Sequence, residues 1–507
     1  MKILIHSSMA FPAARGIMYD EAEKHVRDGH EVFFLFCDSF LDMCYINPEG
    51  NMADCINCKK NYDFEKRNLS QKINFISLDR ESKKKSFQKY ITHNFLYKTT
   101  DEIKGLKYNG INIGLACFST YVTATRNINP KIDNQFKLYF DALLNNCINF
   151  YNIISLLIQE IKPDQVKFFN GRMMENRVVM ECAQQYKISF EAIEMIKGVN
   201  SIEKMNYNNT WPFDMNYYIN LSDHLWETTN VPKEERINLG KSFFERKKLG
   251  LYVGDSIYHK DPNIKSLPNN WNNTRRNIII FNSSEDEYVS INASFDTFFI
   301  FSSQMEALNS IFKEFEDNDA FHFYLRIHPN LKNVRYKYHS DLLKFENLNN
   351  VSVISADSDI SSYALLENAE KVIVFGSTIG IEAVYWGKPT ILLGESQYKG
   401  SEACYIPKSK SDLFQLIRKY LSPKNIEPAI KYGYFLLNDT REKPEFIDFN
   451  YSYRSIGVGK FRFKIGRNNW QKIIGSRTLY TMLRYSTDVI IRLIFRKKRY
   501  NLPVEEE

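Results

Sequence analysis

Short, nearly uninterrupted apolar runs recur along this chain, and what separates them restricts the possible folds more than any other feature. Lys2–His6 (KILIH), Glu31–Phe36 (EVFFLF), Asn277–Phe281 (NIIIF), Lys371–Phe375 (KVIVF) and Pro389–Leu393 (PTILL) lack the strict polar alternation of a half-exposed strand. Strands of this kind are buried on both faces, which requires helices on either side and favours a parallel sheet. The first forty residues make that unit explicit: strand Lys2–His6, helix Ile17–Asp28, strand Glu31–Phe36, with Gly29 where a helix end needs positive φ. A helix over Phe140–Ile161, a strand over Gln165–Asn170, a helix over Glu175–Tyr186 and a strand over Ile188–Ile193 continue the rhythm.

Between Leu249 and Asn277 glycine, proline and asparagine crowd a stretch with little periodicity, which reads as a linker. The alternation then restarts: strand Asn277–Phe281, helix Ser303–Phe315, strand Phe321–Ile327, strand Val351–Ile354, helix Ser361–Asn368, strand Lys371–Phe375, helix Gly380–Trp386, strand Pro389–Leu393 and helix Ser411–Leu421. A chain of 507 residues exceeds what one core organises. The expected architecture is therefore α/β in two domains, 1–248 and 277–440, joined by a linker at 249–276 and facing across a cleft. A composition of 44% hydrophobic and 25% charged residues excludes a disordered chain and a polytopic membrane protein. The N-terminus shows no secretory signal pattern, and no run of about 18 apolar residues occurs. A cytoplasmic location is expected.

Charge is unevenly placed. Between Lys460 and Arg499 stand twelve Lys/Arg and one acid, Asp488, so this segment carries +11 while the rest of the chain sums to −4. Leu479, Met482, Leu483, Ile490, Leu493 and Ile494 recur there at helical spacing, interleaved with Trp470, Tyr480, Tyr485 and Phe495. A basic amphipathic tail over 455–507, lying on the anionic inner face of the plasma membrane, fits this pattern; a docked helix with a solvated basic face is the plainer reading. No basic patch in the body completes a nucleic-acid footprint, so no nucleic-acid partner is expected.

Three loops, each directly after a strand, carry the chemistry. Asn282-Ser283-Ser284-Glu285-Asp286-Glu287 follows NIIIF, Arg326-Ile327-His328-Pro329 ends FHFYLRI, and Gly376-Ser377-Thr378 leads from KVIVF into a helix that bears Glu382. Parallel sheets bind ligands outside the carboxyl ends of their strands. Gly376, Ser377 and Thr378 at a helix start suit a phosphate. Arg326 and His328 add donors, and Pro329 stiffens the turn. Ser283 and Ser284 join this donor-binding set, with Glu382 on the ribose.

Arg326-x-His328-Pro329 followed by Gly376-Ser377-Thr378-x3-Glu382-Ala383-x3-Gly387-Lys388-Pro389 resembles the donor half of GT-B glycosyltransferases, in particular bacterial capsule and surface-polysaccharide biosynthesis proteins. Gln304, Ser361-Ser362-Tyr363 and Asn170-Gly171-Arg172 extend the resemblance to about 1–440. It implies two Rossmann-like domains, a nucleotide-sugar held by the C-terminal one, and a glycan or lipid-linked glycan acceptor on the N-terminal side near Asn170 and Arg172. It also extends to transferases of CMP-activated acidic sugars and to CDP-polyol phosphotransferases of the teichoic-acid type. Nucleotide-sugar 2-epimerases share the frame, and a non-catalytic scaffold protein of the same fold is the alternative outside enzymes. No Asp-x-Asp metal motif stands out, so no catalytic cofactor is expected. The candidate bases are Glu285, Asp286 and Glu287 in the second domain and Asp20, Glu21 and Glu194 in the first.

Cys37, Cys44, Cys55 and Cys58 cluster within an insertion at 37–60, while four further cysteines are scattered. A Cys-x2-Cys pair with two thiols nearby gives the expectation of a structural zinc site.

Overall fold

The computed structural model describes residues 1–8, 12–85, 93–197, 202–251, 266–438, 441–449, 456–458 and 498–503. The chain divides into two units, Met1–Pro212 with Thr440–Glu507, and Phe213–Asp439.

The first unit is built on a six-stranded sheet: β1 (Lys2–His6), β2 (Glu31–Phe36), β3 (Ile73–Ser77), β4 (Gln165–Phe169), β5 (Ser189–Lys197) and β6 (Ile202–Asn208), in the order β3-β2-β1-β4-β5-β6. All neighbours pair parallel except β5 and β6. Ile3, Ile5, Val32 and Phe34 pack against Ala14, Ile17 and Met18 of the helix Pro12–Arg27. That helix ends at Gly29, whose φ of +79° is open to glycine at little cost. On the opposite face of β1, His6 meets the Phe150 ring of the helix Asn134–Ile161 at 5.4 Å. Strand β6 (IEKMNYN) is too polar to have been read as a strand. It lies at the sheet edge, and Lys204 exchanges both backbone hydrogen bonds with Glu442 at 2.8 Å.

The second unit holds a five-stranded parallel sheet: β7 (Arg276–Phe281), β8 (Phe321–Arg326), β9 (Val351–Ile354), β10 (Lys371–Val374) and β11 (Thr390–Leu392), in the order β11-β10-β7-β8-β9. Its core joins Ile278, Ile280, Phe323 and Leu325 to Leu308, Ile311 and Phe312 of the helix Gln304–Glu314. Both sheets are Rossmann-like. In each, the unit's first and fourth strands lie side by side, β1 with β4 and β7 with β10, and ligands bind at the carboxyl ends of such a pair.

The domain boundary differs from the expected 248. The helices Met215–Thr228 and Lys233–Lys248 belong to the second unit. Lys233–Lys248 packs backbone to backbone on the helix Glu427–Asn438: a Cβ on Gly240 would stand 2.2 Å from the Ile430 carbonyl, and one on Gly433 would stand 2.3 Å from the Gly240 carbonyl. Two glycines nearly two hundred residues apart set this contact, and no local pattern announces it. Of the expected linker, 252–265 lie outside the described residues. So does most of the expected basic tail. Its end is described: Lys498 pairs with Glu49 at 2.7 Å and Arg499 with Asp42. Among the described residues, no helix is long and apolar enough to cross a membrane.

Candidate active site

The three loops of the second sheet are tied into one edge by the residues between them. Ser283 Oγ donates to the Phe375 carbonyl at 3.0 Å, joining the ends of β7 and β10. Asn282 Oδ1 accepts from the His328 backbone at 2.7 Å, joining β7 to β8. Gln304 braces the turn, accepting from the Ser283 N–H at 2.7 Å and donating to Glu285 at 3.0 Å. Ser283, Ser284 and Asp286 are buried, with Ser284 Oγ donating to Asp286 at 2.7 Å. His328 caps a short 3-10 turn that begins at Pro329, its Nδ1 accepting from the Asn330 N–H at 3.3 Å. An accepting Nδ1 places the proton of a neutral ring on Nε2.

Gly376, Ser377 and Thr378 are half-buried, as are Glu285 and His328 on the same edge. Gly376 has φ +107°, and a Cβ there would lie 2.2 Å from the Glu395 carbonyl, so the loop is pressed on the backbone after β11. Tyr398 Oη donates to the Ser377 carbonyl at 2.5 Å. A pocket adjoins the loop, lined by Glu285, Tyr288, Phe295, Phe298, Phe375 and Glu395 among others.

Two residues expected to face a donor are engaged inside the fold. The Arg326 guanidinium donates to the Ser355 and Ser358 carbonyls beyond β9, and burial lowers its pKa to about 10. A strand-end arginine whose neighbouring loop ends in carbonyls closes that loop before it reaches a ligand. Glu382 is 2% exposed and accepts from Tyr363 Oη at 2.5 Å, while Lys247 Nζ stands 2.9 Å from its other oxygen. Lys247 also donates to Thr378 Oγ1 at 3.4 Å. Nothing in the sequence marks Lys247, one of three consecutive basic residues in the last turn of its helix.

In the first unit the loop after β4 meets strand β5. Asn170 (φ +57°) and Gly171 (φ +90°) turn the chain after β4. Asn170 Nδ2 donates to Glu194, the β5 residue just past the last one paired with β4, and the Met195 N–H donates to the other Glu194 oxygen at 2.9 Å. Burial nevertheless raises the Glu194 carboxyl to about 7. Burial likewise raises Glu175, at the start of the helix Met174–Gln185, to about 6. Arg172 is buried and donates to Ser119 Oγ at 2.8 Å.

Asp20 and Glu21, expected as possible bases, lie instead in a buried ion cluster. Lys204 reaches Asp20 at 2.8 Å and Glu21 at 2.5 Å, and Lys167 reaches Glu21 at 2.6 Å. Burial opposes the Glu21 charge, but the two ammonium groups overcome it and hold the carboxyl at about 2. Both acids are fully enclosed, so neither is available to an acceptor hydroxyl.

Residues 202–402 match the family model described as capsule polysaccharide biosynthesis protein. All of the second unit's candidate donor residues, Ser283 to Glu382, fall inside the matched stretch, whereas Asn170, Arg172, Glu194 and the clustered cysteines Cys37 to Cys58 precede it. No curated protein sequence is significantly similar to the chain. Among solved structures, the β-Kdo 2,4-transferase KpsC of Thermosulfurimonas dismutans is 14% identical, with 54% of this chain and 79% of that one covered and a TM-score of 0.34. The β-Kdo 2,7-transferase KpsC of the same organism gives 14%, 58%, 86% and 0.34. The UDP-GlcNAc 2-epimerase of Methanocaldococcus jannaschii gives 14%, 85%, 98% and 0.26. Likenesses this distant do not bear on substrate or residue roles.

The expected zinc site is not formed. Cys55 and Cys58 lie one turn apart on the helix Met52–Lys66 rather than in a metal-binding knuckle. Cys37 follows β2 and accepts from the Leu41 N–H, and Cys44 closes a small turn with Asn47. Among the described residues, no three His, Cys, Asp or Glu side chains converge as metal ligands. Burial raises Cys37 to about 12 and Cys58 to about 11, which keeps both as thiols.

Proposed function

We propose that the chain is a glycosyltransferase of capsule polysaccharide biosynthesis, moving a sugar from a nucleotide donor to a hydroxyl of the growing glycan. The observation that carries this reading is the edge at β7, β8 and β10, where Asn282 and Ser283 bind three loops together within the capsule-family stretch. Gly376, Ser377 and Thr378 take the donor phosphate, with the His328 ring as a further hydrogen-bond donor. Fixed donors of this kind stabilise the leaving nucleotide as the glycosidic bond breaks, without reorganisation at the moment of reaction. Glu194 is the base: a carboxyl that titrates near 7 is ionised enough to accept the acceptor's proton and basic enough to hold it. Asp286, buried on Ser284, organises the turn after β7.

The protein works at the inner face of the plasma membrane, drawn there by the basic segment 460–497. Its composition, with ten Lys/Arg before the docked Lys498 and Arg499, supports this part of the reading. Incubation of the purified protein with UDP-, GDP- and CMP-sugars and CDP-glycerol, followed by thermal shift and by transfer to capsule oligosaccharide, tests the reaction. A donor-specific rise in melting temperature with sugar transfer is the expected result. Transfer of a polyol phosphate, or no response to any donor, overturns it.

A further inference from the structure

The buried Lys247–Glu382 pair, which reaches the half-buried Thr378, is the feature of the second unit that the site as described leaves unused. We infer that Lys247 is a positioning residue for the nucleotide's phosphate, acting through the Thr378 hydroxyl. The inference rests on the donor site proposed above. The helix Lys233–Lys248 is clamped along its last turn to the helix Ile379–Tyr385. Phe244 stacks on Tyr385 with ring centroids 4.4 Å apart, Tyr385 Oη donates to Glu245 at 3.1 Å, and Lys248 lies 4.2 Å from the centre of the Trp386 ring. These contacts fix Lys247 over the start of that helix, where it is 6% exposed.

The consequence lies in the hydrogens. A lysine ammonium only donates, so Thr378 Oγ1 accepts from Lys247 at 3.4 Å and its own proton must point elsewhere. The Gly376–Thr378 loop is half-buried rather than sealed, and an anion there receives that proton as a hydrogen bond. Glu382 holds Lys247 in place at 2.9 Å and is itself held by Tyr363 from the helix Ser362–Asn368. Lys247 thus does two things. It neutralises a carboxylate that would otherwise repel a phosphate, and it turns a freely rotating hydroxyl into a directed donor.

Binding of UMP, UDP, CMP and GDP to the full chain, measured by calorimetry, tests this. Lys247→Met strands the buried Glu382 charge and is prone to misfold, so Lys247→Met/Glu382→Gln, which removes both charges, is the informative variant. It is expected to weaken the best-bound nucleotide by about tenfold, the loss of one directed hydrogen bond to a charged group. Thr378→Val is expected to do the same, Thr378→Ser to bind like wild type, and the triple variant to be no weaker than the double. In steady-state assays the loss should appear in the donor KM rather than in kcat. Wild-type binding with undiminished affinity in Lys247→Met/Glu382→Gln, or additive losses in the triple variant, overturns the inference and leaves the donor site standing. Failure of wild type to bind any of the four nucleotides removes the donor site and the inference with it.

Discussion

The two sheets use the same strand order for opposite electrostatic ends. At the β7–β10 edge of the second unit, Arg326, Lys247 and Glu382 are engaged inside the fold, and a glycine and two hydroxyls lie half-exposed alongside Glu285 and His328. At the β1–β4 edge of the first unit, burial holds Glu194 near 7 and Glu175 near 6, and lowers His6 to about 4, so that the imidazole is neutral. One edge is suited to holding an anion through fixed donors, the other to exchanging a proton. The lesson is that strand order dictates where a site lies, while the dielectric and the partners around each loop decide its chemistry.

The sharpest way to break this contrast is Glu194→Gln. Turnover is expected to fall by about 10² to 10⁴, the usual range for a general base. In wild type kcat should rise with pH through about 7 because the ionised form is active; in the variant that limb should vanish. Stability gives an independent check. A carboxyl raised from 4.5 to about 7 favours the proton in the folded state. The two states then differ most above pH 7, where folding must ionise it against burial, and not at all below about 4.5. Glu194→Gln should therefore raise the urea midpoint at pH 8 and leave it unchanged at pH 4. An unchanged midpoint at pH 8 contradicts a raised carboxyl.

Asp20→Ala probes the other kind of acid in the same unit. With Lys204 left partly uncompensated in the interior, unfolding should become easier by about 3 kcal/mol. Activity per folded molecule should be retained, and a selective loss of kcat would return Asp20 to the catalytic set.

A smaller difference separates the two glycines that turn the edges. Gly376→Ala drives a Cβ to 2.2 Å from a carbonyl oxygen at φ +107°, and a loss of about 3 kcal/mol is expected. At Gly171, with φ +90°, the nearest atoms are side-chain carbons and a sulfur at 3.3 to 3.4 Å, which can give way, so Gly171→Ala should cost about 1 kcal/mol. Equal costs in chemical denaturation would show that the loop after β10 is not pinned. The least effect is expected for Lys498→Gln/Arg499→Gln. These residues form exposed pairs with Glu49 and Asp42, so the melting temperature should move by the equivalent of about 1 kcal/mol or less.

Much of the framework could be read from the sequence. The apolar runs at Lys2–His6, Glu31–Phe36, Arg276–Phe281 and Lys371–Val374 are strands, because a segment apolar on both faces can satisfy its backbone and its side chains only inside a covered sheet. The polar strand β6 and the helix carrying Cys55 and Cys58 could not be read in this way. An edge strand needs no apolar text, and Cys-x2-Cys has the same spacing in a helical turn as in a metal loop.

Local order along the chain therefore determined the two α/β halves, the strand-end loops and their chemical inventory of Ser283, His328, Gly376, Ser377 and Thr378. Tertiary structure alone decided which charges remained for chemistry. Lys204 neutralises Asp20, Lys247 neutralises Glu382, and distant carbonyls occupy Arg326. The physical reason is that the energy of a charged group depends on partners within a few ångströms and on the solvent it loses. Those partners come from segments far apart in sequence, so only folding brings them within reach.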